Sequence, residues 1–393
     1  VLFTALTPGA LHQRHLYAWR PQEDAPPRLI LTTTGLFRSP GMPCAMAEDR
    51  LICFFEEAAR PRRLVSIDLD KGAIETLYDP NPDWAQFNLG PEPHVLTVRA
   101  GGAYLPSYLV LPPDYRQGER LPLVVVTYVC AGFLRGGSGD EYPIFPLAAQ
   151  GFAVLCHNHL SEDWERAARA GPEEIFSEQL APGEPFQRRV QAGLDAAVED
   201  LDRMGVIDPD RIAVTGLSQG SGTVKWAMFN MPRLTAAIAS AVSGSPFAID
   251  VSTIRSRFRE QYGIESQFSP RLETLLVSQN TERVRAPLLV NVSDHEMLGS
   301  LETIGALMDA GRAVEAFVYP GEHHIKSQPA HRLAIYERNI DWLNFWLRGV
   351  ENSDAAKAAQ NVRWRAMRDK QCLRGDDSAS RKPWYCATPP SRN

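Results

Sequence analysis

The first 85 residues contain short hydrophobic runs separated by proline, glycine and aspartate. Runs rich in β-branched and aromatic residues and bounded by turn formers are typical of β-strands. One pair of runs predicts a hairpin, because residues 64–68 and 73–77 flank the turn sequence Asp68-Leu-Asp-Lys-Gly72. The runs that predict strands are residues 15–19, 28–32, 51–55 and 63–68. We therefore predict a β-rich module over residues 1–85.

The hairpin at residues 64–78 has the form of the hairpins that build a β-propeller blade. One or two blades cannot close a ring, so we expect a partial propeller whose other blades would lie upstream of Val1. The sequence opens without an initiator methionine and without a basic stretch that leads into an apolar one, so no signal peptide can be read. We expect it to be a fragment or a trimmed form.

After residue 85 the pattern changes to hydrophobic strands that alternate with amphipathic helices, which favours an α/β class with a mostly parallel sheet covered on both faces. Helices are predicted over residues 186–204 and 328–347, the second with Leu333, Tyr336, Ile340, Trp342 and Phe345 on its core face. Strands are predicted over residues 94–100, 108–111, 123–128, 152–156, 211–215, 236–241, 288–292 and 313–318. This pattern predicts a catalytic domain over residues 86–350 and a C-terminal extension over residues 351–393.

Composition excludes some classes of partner. The chain is 44% hydrophobic and 22% charged, with 41 Lys and Arg against 47 Asp and Glu, so no basic excess points to nucleic acid. The most apolar stretch, residues 121–131, is far shorter than the roughly 20 residues of a membrane-spanning helix. We expect neither a nucleic-acid partner nor a membrane partner, and the sequence predicts no oligomeric state.

The six cysteines form no C-x-x-C pair, so no metal site is expected. Cys44 and Cys53 flank a turn-like Glu48-Asp49 at a spacing that suits a disulfide across a hairpin. Cys372 and Cys386 bracket a polar loop in the tail. Two readings stay open: disulfides in an oxidising compartment such as the periplasm, or six reduced thiols in a cytoplasmic enzyme.

The strongest chemical signal is a G-x-S-x-G motif, Gly216 to Gly220, which a predicted strand enters and a predicted helix leaves. This is the arrangement of a nucleophile elbow, in which a tight turn exposes the serine above the edge of a sheet. The two glycines leave room for that turn. We predict Ser218 as the nucleophile of an α/β-hydrolase.

A serine nucleophile needs a histidine base and a carboxylate that orients the base, in the chain order Ser, Asp or Glu, His. Asp294 follows the predicted strand at residues 288–292 and is the expected acid, with Glu296 as the alternative. One strand later, His323 and His324 are both candidate bases. Two other histidines on the rim, His157 and His159, are expected to be solvated loop residues.

A hydrolase of this kind also needs two donors for the oxyanion of the tetrahedral intermediate. One is the backbone N–H after the nucleophile, which belongs to Gln219. The other should come from the glycine-rich loop at residues 129–139, which follows the predicted strand at residues 123–128. That loop lacks the lysine and spacing of a nucleotide-binding loop, so we expect no nucleotide cofactor.

With these residues in place, residues 51–349 resemble the prolyl oligopeptidase family, in which a β-propeller precedes an α/β-hydrolase domain. In that family the catalytic histidine follows a glutamate by two positions, which selects His324 after Glu322. Many members place a tyrosine where this chain has Cys130, with Tyr128 two residues earlier, so the resemblance leaves Tyr128 and Cys130 as candidates for the second oxyanion donor. Within the family the chain is most similar to lasso-peptide isopeptidases, through residues 128–143, 322–339 and 363–368 and Cys372.

This resemblance implies hydrolysis of the isopeptide bond between a peptide's N-terminal amine and an Asp or Glu side chain, through an acyl-enzyme and without metal or organic cofactor. The expected partner is a lasso peptide. The same catalytic residues would serve a general oligopeptidase that cuts short linear peptides, or an esterase, so the triad does not separate these activities. A catalytically dead, peptide-binding relative is a further class, which intact Ser218, Asp294 and His324 would disfavour.

Overall fold

The structure is a computed structural model. It describes residues 1–7, 10–37, 44–100, 103–159, 183–240, 273–374, 383–387 and 391–392. Part of the predicted strand at 236–241, its last residue, lies outside this described set. The described elements fall into a β-rich N-terminal part and a larger α/β part.

The N-terminal part consists of two small antiparallel sheets. In its described residues the first sheet has the order β1-β2-β3 and the second the order β4-β6-β7-β8, with β5 paired to β6. The predicted hairpin is confirmed, with Leu64 opposite Tyr78 and Ile67 opposite Ile74 across β7 and β8. The strands are β1 Leu2–Thr7, β2 Ala10–Ala18, β3 Arg28–Thr33, β4 Leu36–Phe37, β5 Ala45–Ala47, β6 Arg50–Glu57, β7 Arg60–Asp68 and β8 Ile74–Tyr78.

The α/β part is built on one large sheet, which among the described residues has eight strands in the order β16-β15-β14-β13-β11-β12-β10-β9. All eight predicted strands are confirmed. Neighbouring strands from β16 to β12 are parallel, whereas β10 and β9 add an antiparallel edge. The strands are β9 His94–Ala100, β10 Ala103–Val110, β11 Leu121–Tyr128, β12 Ala153–Asn158, β13 Ile207–Leu217, β14 Leu234–Ser240, β15 Leu288–Ser293 and β16 Val314–Tyr319.

Helices cover both faces of this sheet. Successive residues of β11 point to opposite faces: Leu123 and Val125 join the core beneath α2, α3 and α4, while Val124 and Val126 join the core beneath α1 and α5. The helices are α1 Ile144–Ala149, α2 Pro185–Arg203, α3 Gln219–Asn230, α4 Met297–Asp309, α5 Pro329–Leu343, α6 Ala358–Leu373 and α7 Trp384–Ala387. A π-helix, Asn344–Arg348, extends α5.

The core face of α5 differs from the prediction at its first position, because Leu333 is 59% exposed. The buried stripe of this helix instead contains Ile335, Asn339 and Trp342. The helix is therefore rotated so that a polar residue, Asn339, faces the sheet. Its amide is satisfied there, since it donates to the backbone oxygen of Glu141 at 2.9 Å.

The tail packs against the end of α5. Trp364 on α6 is buried and meets Trp342 edge-to-face, with ring centroids 5.1 Å apart. A disulfide between Cys372 and Cys386, which bracket the polar loop of the tail, joins α6 to α7. The short strands β17 Val350–Glu351 and β18 Ser391–Arg392 pair in parallel beside them.

The structure contains two further disulfides. The pair Cys44–Cys53 closes the β5–β6 hairpin and confirms the prediction made from its turn. The pair Cys130–Cys156 was not predicted, and it links the loop after β11 to the adjacent parallel strand β12. No described cysteine is left as a free thiol.

The N-terminal part touches the α/β part through the turn between β6 and β7. The carbonyl oxygen of Ala58 accepts a hydrogen bond from the amide of Leu134 at 2.9 Å. Gly132, which has a φ of 67°, lies so close to the Glu56 side chain that a Cβ would clash with it. The loop after β11 therefore rests directly on this turn.

Candidate active site

Ser218 sits in the sharp turn between β13 and α3, with φ 58° and ψ −121°. This is a conformation that a residue with a side chain rarely adopts, and it costs on the order of 1–3 kcal/mol. The turn is held by its own helix, because the backbone oxygen of Ser218 accepts from the amide of Ser221 at 2.9 Å and from its hydroxyl at 2.8 Å. The predicted nucleophile elbow is present.

The two glycines of the motif are required by close packing. A Cβ on Gly216 would lie 2.8 Å from the Cα of Gly220, and one on Gly220 would lie 2.7 Å from the hydroxyl of Thr127. Both distances are shorter than a real Cβ contact allows. Gly222, two residues further into α3, has open space around it, so the steric demand is confined to the elbow.

The histidine and its acid come from the neighbouring strands. Because β13, β15 and β16 are parallel, their carboxyl ends meet at one edge of the sheet. At that edge Nδ1 of His324 lies 2.5 Å from Oε1 of Glu296. The other carboxylate oxygen of Glu296 accepts from the hydroxyl of Ser293 at 3.0 Å, which fixes the orientation of this carboxylate.

In the part of the chain that the structure describes, Asp294, the acid expected from the sequence, makes no hydrogen bond to His324. Its Oδ2 accepts from the amide of Gly321 at 2.8 Å and its Oδ1 accepts from the amide of His295 at 3.0 Å. The hydrogen bond from Gly321 lowers the pKa of Asp294. The structure therefore corrects the expectation: Asp294 caps the turn after β15, and Glu296 is the carboxylate on the histidine.

Glu322 organises the histidine loop. This buried carboxylate accepts from the amides of Ser327 at 2.8 Å and Gln328 at 3.0 Å, and it pairs with Nδ1 of His331 at 2.9 Å. Burial opposes its ionisation, but these donors together lower the pKa of Glu322. His323 points elsewhere, since its ring stacks on that of His295 with centroids 5.0 Å apart. Of the two candidate bases, His324 is thus the one that carries a carboxylate partner.

Among the described residues, no hydrogen bond joins the hydroxyl of Ser218 to the ring of His324, whose side chain is 47% exposed. In structures without substrate such a bond is often long, and it tightens in the complex. The structure thus places both residues at one sheet edge and pairs the histidine with its acid.

Of the three candidate oxyanion residues, Gln219 and Tyr128 lie at the elbow, whereas Cys130 is occupied elsewhere. The amide of Gln219 opens α3, where the first N–H groups of a helix have no partner within the helix. Tyr128 ends β11 beside the elbow, because a Cβ on Gly220 would lie 3.1 Å from its Cδ1. Cys130 is excluded: its sulfur is in a disulfide with Cys156 and its amide donates to Asn158 at 2.7 Å.

The two rim histidines are buried, so their predicted exposure was wrong. His157 hydrogen-bonds the hydroxyl of Ser107 at 2.9 Å, and burial lowers its pKa to about 4. Nε2 of His159 hydrogen-bonds the hydroxyl of Thr223 at 3.0 Å, and burial lowers its pKa to about 3. Its ring also lies 5.2 Å from that of Tyr128. The sequence missed this buried histidine, which lies against one of the candidate oxyanion residues, Tyr128.

Within the described ranges, no cluster of three or more His, Cys, Asp or Glu side chains could hold a metal ion. In the same part of the chain, no helix is both long and apolar enough to cross a bilayer.

Three features define an α/β-hydrolase domain of the serine hydrolase type. They are the large, mostly parallel sheet, Ser218 in the tight turn between strand and helix, and the Glu296–His324 pair at the same sheet edge. Residues 191–349 match the model of the prolyl oligopeptidase family. This match assigns residues 191–349 to that family.

The chain is 42% identical over 358 residues to the lasso peptide isopeptidase AtxE2 of Asticcacaulis excentricus, an alignment that covers 88% of this chain and 50% of the relative. A solved structure of an AtxE2 isopeptidase variant with Astexin3-dC4 bound is similar at a TM-score of 0.87 and 40% identity, over 94% of this chain and 57% of that one. The acylaminoacyl peptidase of Pyrococcus horikoshii shares the fold at 21% identity and a TM-score of 0.66, over 92% and 56% of the two chains. The chain thus spans about half the length of the relatives it matches.

Proposed function

We propose that this chain carries the catalytic part of a serine peptidase that hydrolyses the isopeptide bond of threaded lasso peptides. The observation that supports the chemistry is the pairing of His324 with Glu296 at the sheet edge that also bears Ser218. The substrate is inferred from the name of the 42% identical relative. The triad alone would serve any acyl transfer to water.

In the proposed mechanism the hydroxyl of Ser218 attacks the side-chain acyl carbon of the isopeptide. Nε2 of His324 takes the hydroxyl proton while Glu296 holds Nδ1 and stabilises the imidazolium. The histidine then returns the proton to the departing N-terminal amine, which leaves an ester on Ser218. Water, activated by the same histidine, hydrolyses that ester and frees the carboxylate.

The amide of Gln219 and a donor of Tyr128 are the proposed oxyanion site. Gln219 lies at the N-terminus of α3, where the helix dipole favours negative charge. The Tyr128 ring is fixed by the ring of His159 on one side and the elbow on the other. Each donor is worth about 100-fold to 1,000-fold in the rate of such reactions.

We also infer that the protein works in an oxidising compartment such as the periplasm. Three disulfides distributed over the N-terminal part, the α/β part and the tail support this inference, because disulfides are rare in cytosolic proteins. If purified protein from the reducing cytosol contains the same three bridges, the location would lose this support.

The test is to incubate the protein, and a Ser218→Ala variant, with a threaded isopeptide-linked peptide and with a linear peptide of the same sequence. Mass spectrometry should show the gain of one water on the threaded peptide only, and no gain with the variant. Cleavage within the linear peptide would replace the proposal with a general oligopeptidase. If neither peptide changes while a fluorophosphonate probe labels Ser218, the site is a hydrolase whose substrate lies elsewhere.

A further inference from the structure

An ion pair lies buried beneath the active site. Nζ of Lys326 is 3.0 Å from Oε1 of Glu141, and both side chains are fully inaccessible to solvent. Removing two charges from water is costly, and a buried pair is often no more stabilising than apolar residues of the same volume. Stability alone therefore does not explain why the pair is there, and we look to its hydrogen bonds for its role.

Lys326 is bonded to the histidine loop. Its ammonium group donates to the backbone oxygen of His324 at 3.4 Å and to that of Asn291 on β15 at 3.5 Å. The first contact holds the backbone of the base. The second ties the same cation to the strand that leads to Glu296.

Glu141 is connected to the nucleophile. Its carboxylate accepts from the hydroxyl of Ser240, and that hydroxyl in turn accepts from the phenol of Tyr142 at 3.0 Å. The backbone oxygen of Ser240 accepts the amide of Ser218 at 3.3 Å. Ser240, the last residue of β14, therefore joins the carboxylate of Glu141 to the backbone of Ser218.

We propose that Glu141 and Lys326 are a positioning pair that holds the backbone of His324 in register with the backbone of Ser218. The inference rests on the proposed serine hydrolase function. Neither residue is proposed to touch the substrate. The pair acts through Ser240 on the nucleophile's side and through the His324 carbonyl on the base's side.

The charges of the pair also matter to the acid. Burial raises the pKa of Glu141, the nearby Lys326 opposes this, and the charge of Glu296 adds to the increase. An unpaired charge on Glu141 would therefore act on Glu296 as well. Paired with Lys326, Glu141 can lie beneath the Glu296–His324 couple with little net field.

The test is the double variant Glu141→Gln with Lys326→Met, which removes both charges together and leaves neither buried alone. The matched control is Glu351→Gln, which breaks the pair between Glu351 and Arg365 beyond the far end of α5. The first readout is the rate at which a fluorophosphonate labels Ser218, which requires no peptide substrate. The second is kcat and KM for the threaded peptide, and the third is Tm.

We expect the labelling rate of the double variant to fall by about tenfold to 100-fold, because a misplacement of about 1 Å can cost about 100-fold in rate. We expect its kcat to fall while its KM is unchanged. The control should keep the wild-type labelling rate even if its Tm falls as far. Wild-type labelling by the folded double variant would overturn the inference. If the labelling responds but the peptide is never cut, only the proposed substrate fails.

Should the double variant not fold, Ser240→Ala provides the second arm. It keeps both charges and the backbone acceptor of the Ser218 amide, and it removes only the hydroxyl that joins Ser240 to Glu141. We expect labelling to slow by a few-fold with an intact fold. An unchanged labelling rate in this folded variant would contradict the proposed connection.

Discussion

Nδ1 of His324 lies 2.5 Å from Oε1 of Glu296, while the carboxylate of Asp294, two residues earlier, is turned toward the amide of Gly321. The short turn after β15 thus presents two carboxylates in different directions. One orients the histidine, and the other stabilises the loop that carries it. This division of roles leads to the first prediction.

Glu296→Gln should lower kcat by about 100-fold to 10,000-fold, because an amide can neither hold the correct tautomer nor stabilise the imidazolium. Asp294→Asn should lower it by less than about tenfold, since Asp294 acts on the loop alone. Steady-state kinetics on both variants measures the difference. The reverse ranking would restore Asp294 as the acid.

Gly220→Ala should abolish activity and lower Tm, because its Cβ would press on Thr127 and Tyr128 and displace Ser218. Gly222→Ala is the matched control in the same helix. With open space around it, this alanine should keep activity and stabilise α3 by up to about 1 kcal/mol. Thermal unfolding and fluorophosphonate labelling together report both effects, and equal behaviour of the two variants would refute the steric account.

Stability should fall as pH decreases below about 6.5, because folding lowers the pKa values of the buried His157 and His159 to about 4 and about 3. Below the ordinary histidine pKa the unfolded chain binds more protons than the folded one, so acid favours unfolding. Above it these residues give no pH dependence. Each histidine contributes a slope of about 1.4 kcal/mol per pH unit.

Urea unfolding between about pH 7 and pH 5 measures this slope. His157→Gln, which keeps a partner for Ser107, should remove about half of the slope that the two histidines contribute. His295→Gln on the exposed rim is the control and should leave it unchanged. Equal slopes for the wild type and His157→Gln would exclude this origin of the acid sensitivity.

Replacing Cys130 and Cys156 together by serine should reduce both stability and activity, because this disulfide ties the loop after β11 to β12. Replacing Cys372 and Cys386 should affect stability alone, since that bridge lies in the tail. The loops they close, 26 and 14 residues, predict similar losses of about 3 kcal/mol. Labelling of Ser218 well below Tm separates the two, and equal labelling rates would contradict the proposed support of the oxyanion loop.

Much of the fold could be predicted because its signals are local. Buried parallel strands are continuous apolar runs, and the elbow is encoded within the five residues from Gly216 to Gly220. The hairpin disulfide Cys44–Cys53 followed from one turn. In these cases neighbouring residues alone determine the structure.

The features that the sequence did not predict depend on contacts between segments that are distant along the chain. Which of Asp294 and Glu296 meets His324 depends on how one short turn is rotated against a loop 28 residues later. The Cys130–Cys156 bridge depends on the pairing of β11 with β12. The burial of His159 depends on its packing against Tyr128 and Phe186, which the pattern of the strand before it does not reveal.

The turn that carries Ala58 and Ala59 bears on how this protein can be divided. Leu134 contacts that turn and Gly132 contacts Glu56, so the loop that follows Tyr128 is supported by the N-terminal sheets. The α/β part is therefore not an autonomous unit that can be combined freely with other N-terminal domains. A chimera in which residues 1–85 are replaced must recreate this contact if it is to keep the activity.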